Sequence, residues 1–131
     1  MRSSTQERSP ASVSPGAIFS NNDRSCFNTG VNLPHAATIN SVVIFYRSGS
    51  TAQVTASLIR HRFSDGGATD FIALKTFNES SGTPKAGQVP VMAATAKIDN
   101  LRYSYGFGIC MGLDDFFLNA RITYSYDNAG D

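Results

Sequence analysis

Residues 101–111 read LRYSYGFGICM, and no other stretch of the chain limits its fold as tightly. Leu101, Tyr103, Tyr105, Phe107, Ile109 and Met111 are large and apolar or aromatic, and they recur at every second position. Between them stand Arg102, Ser104, Gly106, Gly108 and Cys110, which shrink along the chain. Side chains alternate between the two faces of a strand, so the first set marks a β-strand with one face in a core. The second set marks a face on which Gly106 and Gly108 permit close packing, with Cys110 in line behind them.

Cys110 has one possible partner in the chain, Cys26. Thiols this far apart form neither a CxxC redox pair nor a four-ligand zinc site. In one reading, a Cys26–Cys110 disulfide pins an extended N-terminal piece across or beside the small-residue face, and the glycines make room for its backbone. In the chain-entropy view so long a loop is worth about 4–5 kcal/mol, and the bond implies an oxidising compartment. The other reading is two buried free thiols.

Composition points to the same class. Charged residues make up 16% of the 131, against about a quarter in an average domain. Lys and Glu are scarce, which removes strong helix formers, while Thr, Val, Ile, Phe and Tyr favour strands. The length suits one domain with a real core. The net charge of +1 shows no excess of positive charge of the kind a nucleic-acid binder carries. No apolar run reaches the roughly 18 residues of a membrane helix, and the first residues, MRSSTQERSPASVSPG, hold no signal-peptide core.

Along the chain, residues 1–15 read as a flexible arm, 16–126 as the folded domain and 127–131 as a frayed tail. Strands are expected over 16–20, 26–33, 38–48, 53–63, 70–79, 89–96, 101–111 and 116–126. Turns or loops separate them, among them SDGGAT (64–69) and SSGTPKAGQ (80–88). About eight strands without a helical period give an all-β fold, an antiparallel β-sandwich or jelly roll.

The segments VSPGAIF, VNLPHAATINSVVIFYRSGSTAQVTASLIR, IDNLRYSYGFGICM and FFLNARITYSY together resemble a family of uncharacterised small jelly-roll domains. These occur on exported, surface or phage-related bacterial proteins, and the likeness covers about residues 13 to 126. It implies a β-sandwich, an extracellular or surface location and no catalytic residues. The chain departs from the pattern at Ala36–Ala37, where the family has glycine in the turn, and at Arg47-Ser48-Gly49, which lacks the family's polar Asp or Asn.

Few residues suggest chemistry. Arg60 and Arg62 share one strand face and could meet a carboxylate or phosphate, although a solvated sheet surface is the plainer reading. Tyr46 is the aromatic expected to be exposed or interfacial. His35 reads as a turn residue, and His61 points away from the two arginines. Asp65, Asp70, Asp114 and Asp115 lie in loops that could supply calcium ligands, but without EF-hand spacing. Tyr103, Tyr105, Tyr124 and Tyr126 sit on two consecutive strands expected to pair. No catalytic triad, metal set or cofactor motif is legible. The sequence therefore reads as a non-catalytic structural or interaction module. It is expected to assemble with copies of itself, a trimer among the possibilities, or within a larger surface assembly. The alternative is a glycan-binding or other cell-surface-ligand module, possible with or without calcium.

Overall fold

The computed structural model describes residues 8–13, 18–19, 25–49, 53–64, 69–79, 81–112 and 115–126. The expected tail 127–131, the first seven residues of the expected arm and the centre of the 64–69 turn lie outside these. The strands are β1 (Arg8–Val13), β2 (Ile18–Phe19), β3 (Ser25–Gly30), β4 (Thr38–Ser48), β5 (Val54–Arg62), β6 (Thr69–Phe77), β7 (Ser81–Val89), β8 (Tyr103–Met111) and β9 (Phe116–Ser125).

They form two antiparallel sheets. The first runs β1-β9-β4-β7, with β2 also on β9, and the second runs β3-β8-β5-β6. β1 pairs with residues 120–124 of β9 and β2 with 116–117, so the two lie end to end along one edge. Each connection from β2 onward changes sheet except the β5–β6 hairpin, which is the jelly-roll topology.

Alternation explains the core. Val42, Ile44 and Tyr46 of β4, Ala56 and Leu58 of β5, Phe107 and Ile109 of β8, and Phe117, Ala120 and Ile122 of β9 all turn inward and are buried. The ring centroids of Phe107 and Phe117 stack 5.7 Å apart across the two sheets. β8 and β9 therefore face each other and do not pair, contrary to the sequence expectation; their tyrosines meet along each strand instead, Tyr124 and Tyr126 stacked and Tyr103 and Tyr105 tilted. A bulge between Ile39 and Ser41 turns Ile39 into the core, on the side of Val42 and Ile44.

Three boundaries differ from the sequence reading. Arg8–Val13, placed in the flexible arm, is a strand, because an edge position asks only for backbone hydrogen bonds to β9. Ser81–Val89, read as a loop, is the edge strand β7, paired with β4 alone. Its Pro84 falls within the irregular stretch between the Lys85 and Ser81 pairings, where no ladder bond is lost. The strand expected over 89–96 ends at Val89, and Ala93–Thr95 is a single 3-10 turn. Leu101 lies in the turn before β8 and is 81% exposed.

Candidate interaction surface

The pairing registers lay out the outward face of the second sheet as rows across its strands. One row is Cys26–Cys110–Thr55–Thr76, the next Asn28–Gly108–Ser57–Leu74, the next Gly30–Gly106–Ile59–Phe71, and the last Ser104–His61–Thr69. No Lys, Arg, Asp or Glu stands in any of these rows. Phe71 is 41% and Leu74 38% exposed, which is unusual for large apolar side chains at neighbouring sites of a sheet face. Gly106 and Gly108 keep the middle of this face low.

Cys26 and Cys110 are bonded, with Cα atoms 4.0 Å apart, as directly opposed partners of β3 and β8. β3 therefore lies beside β8 in the same sheet and not across its face. The glycines accommodate flanking groups: a Cβ on Gly108 would stand 2.6 Å from Asn28 Oδ1 and 3.1 Å from Ser57 Oγ. A Cβ on Gly106 would stand 3.3 Å from the Thr29 carbonyl. The side chains of Cys26, Phe27, Asn28 and Thr29 are exposed, so the ladder and the disulfide hold this edge strand more than core burial does.

Tyr46 is not an interaction residue. It is 1% exposed, its ring 5.3 Å from that of Phe77 in the core, and burial pushes its phenol above the ordinary tyrosine range. Strand alternation fixed that it opposed Phe45, but not which of the two would face inward. Arg60 points to the inner side of the second sheet near its end. Its Nε donates to Asp70 Oδ2 at 3.0 Å, and its guanidinium lies 4.0 Å from the Tyr103 ring centroid. Arg62 lies 5.8 Å from the same centroid. The arginine pair thus braces Tyr103. His35 takes the turn role: its Nδ1 accepts the Asn100 amide at 3.1 Å.

Among the described acidic groups, Asp115 is fully buried and already engaged. Its Oδ1 accepts the Gly49 amide at 2.6 Å and the Ser48 hydroxyl at 3.4 Å, and its Oδ2 accepts the Gly112 amide at 2.7 Å. This carboxylate ties the end of β4 to the β8–β9 loop. Among the described residues no three His, Cys, Asp or Glu side chains gather as a metal site would require.

The other end of the sandwich is a feature that the sequence reading missed. A cleft of about 490 Å³ opens between residues 30–33, Phe63, Asn100 and residues 103–105. It joins segments distant in sequence, so no local pattern marks it.

The sequence matches no protein-family model and no curated protein. Solved structures do match, among them a chain in the structure of infectious bursal disease virus, Gx strain, with a TM-score of 0.59 and 11% identity. The match covers 97% of this chain and 33% of the viral one, so the chain spans about a third of that protein's length. At this identity the likeness is one of fold, and it agrees with the all-β sandwich described above.

Proposed function

We propose that the chain is a non-catalytic jelly-roll building block that assembles with copies of itself through the outward face of its β3-β8-β5-β6 sheet. One observation carries this reading: that face has no charged side chain in its rows, stays low at Gly106 and Gly108, and exposes Phe71 and Leu74. A flat, uncharged face with apolar side chains is what a subunit contact needs, because its burial removes apolar area from water without stranding a charge. The likeness to a chain in a virus structure supports a part in a surface or virion assembly. So does the resemblance to small jelly rolls of exported and phage-related proteins. The disulfide favours an oxidising, extracellular setting.

Light scattering on a size-exclusion column tests the proposal. A mass at a multiple of 14.0 kDa, a trimer being one such state, is expected for the native chain, and a 14.0 kDa monomer for the Phe71→Glu, Leu74→Glu double variant. A native monomer at high concentration would overturn it.

A further inference from the structure

The cleft at the start of β8 is built from neutral groups. None of the described residues that line it is charged, and its volume of about 490 Å³ lies in the range of small-molecule sites, about 300–1,000 Å³. Phe63, 60% exposed, supplies an open aromatic surface. Asn32 and Ser104 present an exposed amide and hydroxyl, and Tyr103 is half-buried beside them.

The walls are held in place before any ligand arrives. Asn100 donates its Nδ2–H to the Leu33 carbonyl at 2.8 Å, which orients its amide and leaves Oδ1 as an acceptor. The Val31 amide donates to the Tyr105 carbonyl at 3.0 Å, and the Phe63 amide to the Arg102 carbonyl at 2.9 Å. The Tyr105 hydroxyl accepts the Asp99 amide at 2.8 Å, and burial raises its pKa. Arg60, ion-paired to Asp70, packs on the Tyr103 ring. Three separate segments are thereby locked around one space, so little ordering cost remains for binding.

We propose that this cleft binds an uncharged saccharide, with the C–H face of a sugar ring on Phe63 and its hydroxyls on Asn32, Asn100 and Ser104. The polarised C–H groups of a pyranose suit the negative face of an aromatic ring. Amides and hydroxyls both donate and accept, as sugar hydroxyls require. A phosphate or carboxylate would meet no cation among the described lining residues: Arg60 is engaged by Asp70 and Tyr103, Arg102 is paired with Asp99 at 3.5 Å, and Arg62 stands behind Tyr103, 5.8 Å from its ring centroid. This site is distinct from the Phe71–Leu74 contact, and it stands or falls independently of assembly.

The test is a ¹H–¹⁵N NMR titration of the full chain with the methyl glycosides of glucose, galactose, mannose and N-acetylglucosamine, and with glucuronate as the charged counterpart. The expected result is saturable shifts at the Asn32, Asn100 and Ser104 amides for at least one neutral glycoside, with millimolar affinity. Phe63→Ala and Asn32→Ala, both at exposed positions, should keep the native spectrum and weaken binding about tenfold. Leu74→Ser should leave it unchanged. Absence of saturable shifts with every neutral glycoside would overturn the proposal. So would tighter binding of glucuronate, or full affinity in a folded Phe63→Ala variant.

Discussion

The outward faces of the two sheets solve the same problem in opposite ways. Each carries aromatic or large apolar residues that strand alternation pushes out of the core. On the first sheet, Arg47 lies 4.1 Å over the Phe116 ring and Arg121 lies 5.5 Å from that of Phe45. Val43, Phe45 and Phe116 are only half-exposed as a result. The arginine stems cover apolar surface while the guanidinium heads stay in water. On the second sheet nothing comparable among the described residues covers Phe71 or Leu74, since no charged residue stands in the rows. A sheet face can be finished by its own chain or left for a partner; the first sheet does the former, and the proposed assembly assigns the latter to the second.

The largest expected effect tests what holds the uncapped sheet together at its edge. Replacing both Cys26 and Cys110 by alanine should cost about 4 kcal/mol in urea unfolding, given the 84-residue separation. A loss under about 1 kcal/mol would show that the β3 ladder suffices alone. An internal control touches neither outward face. Asp115→Ala strands the Gly49 and Gly112 amides in a buried place, and a loss of about 3 kcal/mol is expected by the same assay.

Gly87→Ala should come next. Its Cβ would stand 2.5 Å and 2.8 Å from Phe77 ring atoms in the core, and a loss of about 2 kcal/mol is expected. Gly108→Ala on the outward face meets only the movable end of Asn28 and a serine hydroxyl, and it should cost well under half of that. Equal losses at the two glycines would remove the distinction between a core cradle and a merely low face.

The capping argument is tested by converting one face into the other. Arg47→Ser removes the cation from Phe116, a contact worth about 0.5–1 kcal/mol at an exposed site. The variant should associate more strongly than the native chain in sedimentation runs at matched concentration. Unchanged association would mean that arginine capping is not what separates the faces. The smallest effect is expected at Ala36, whose φ of 71° is the left-handed conformation that a β-carbon resists. It occupies the third position of the Pro34–Ala37 turn, closed by the Ala37 amide on the Pro34 carbonyl at 3.2 Å. Ala36→Gly should raise stability by about 1 kcal/mol, read as a higher midpoint in urea.

Much of this was legible in residue order. The alternation from Leu101 to Met111 named the inward face of β8: Tyr105, Phe107, Ile109 and Met111 are buried, Tyr103 is half-buried, and Leu101 lies outside the strand and is exposed. The left-handed backbone at Ala36 was not legible, because nothing in an alanine marks a positive φ. Where a strand is apolar on both sides, as at Phe45 and Tyr46, alternation separates the faces without saying which is inside. That choice put Tyr46 in the core beside Phe77. Edge strands were the other blind spot. β1 and β7 bind through backbone groups that every sequence possesses, so Ser, Pro, Gly and Lys there read as loop or arm.

By itself the sequence determined an all-β chain, a small-residue face on β8 and one pair of cysteines able to join. These follow from side-chain period and count, which are local properties. The tertiary structure decided that β3 lies beside β8, that β8 and β9 oppose each other across the core, and that arginines shield one outward face while no described charged residue stands over the other. It also brought residues 30–33, Phe63, Asn100 and 103–105 around one cleft. Each of these depends on contacts between segments remote in sequence, and packing two sheets into one core is what selects among the contacts that alternation alone allows.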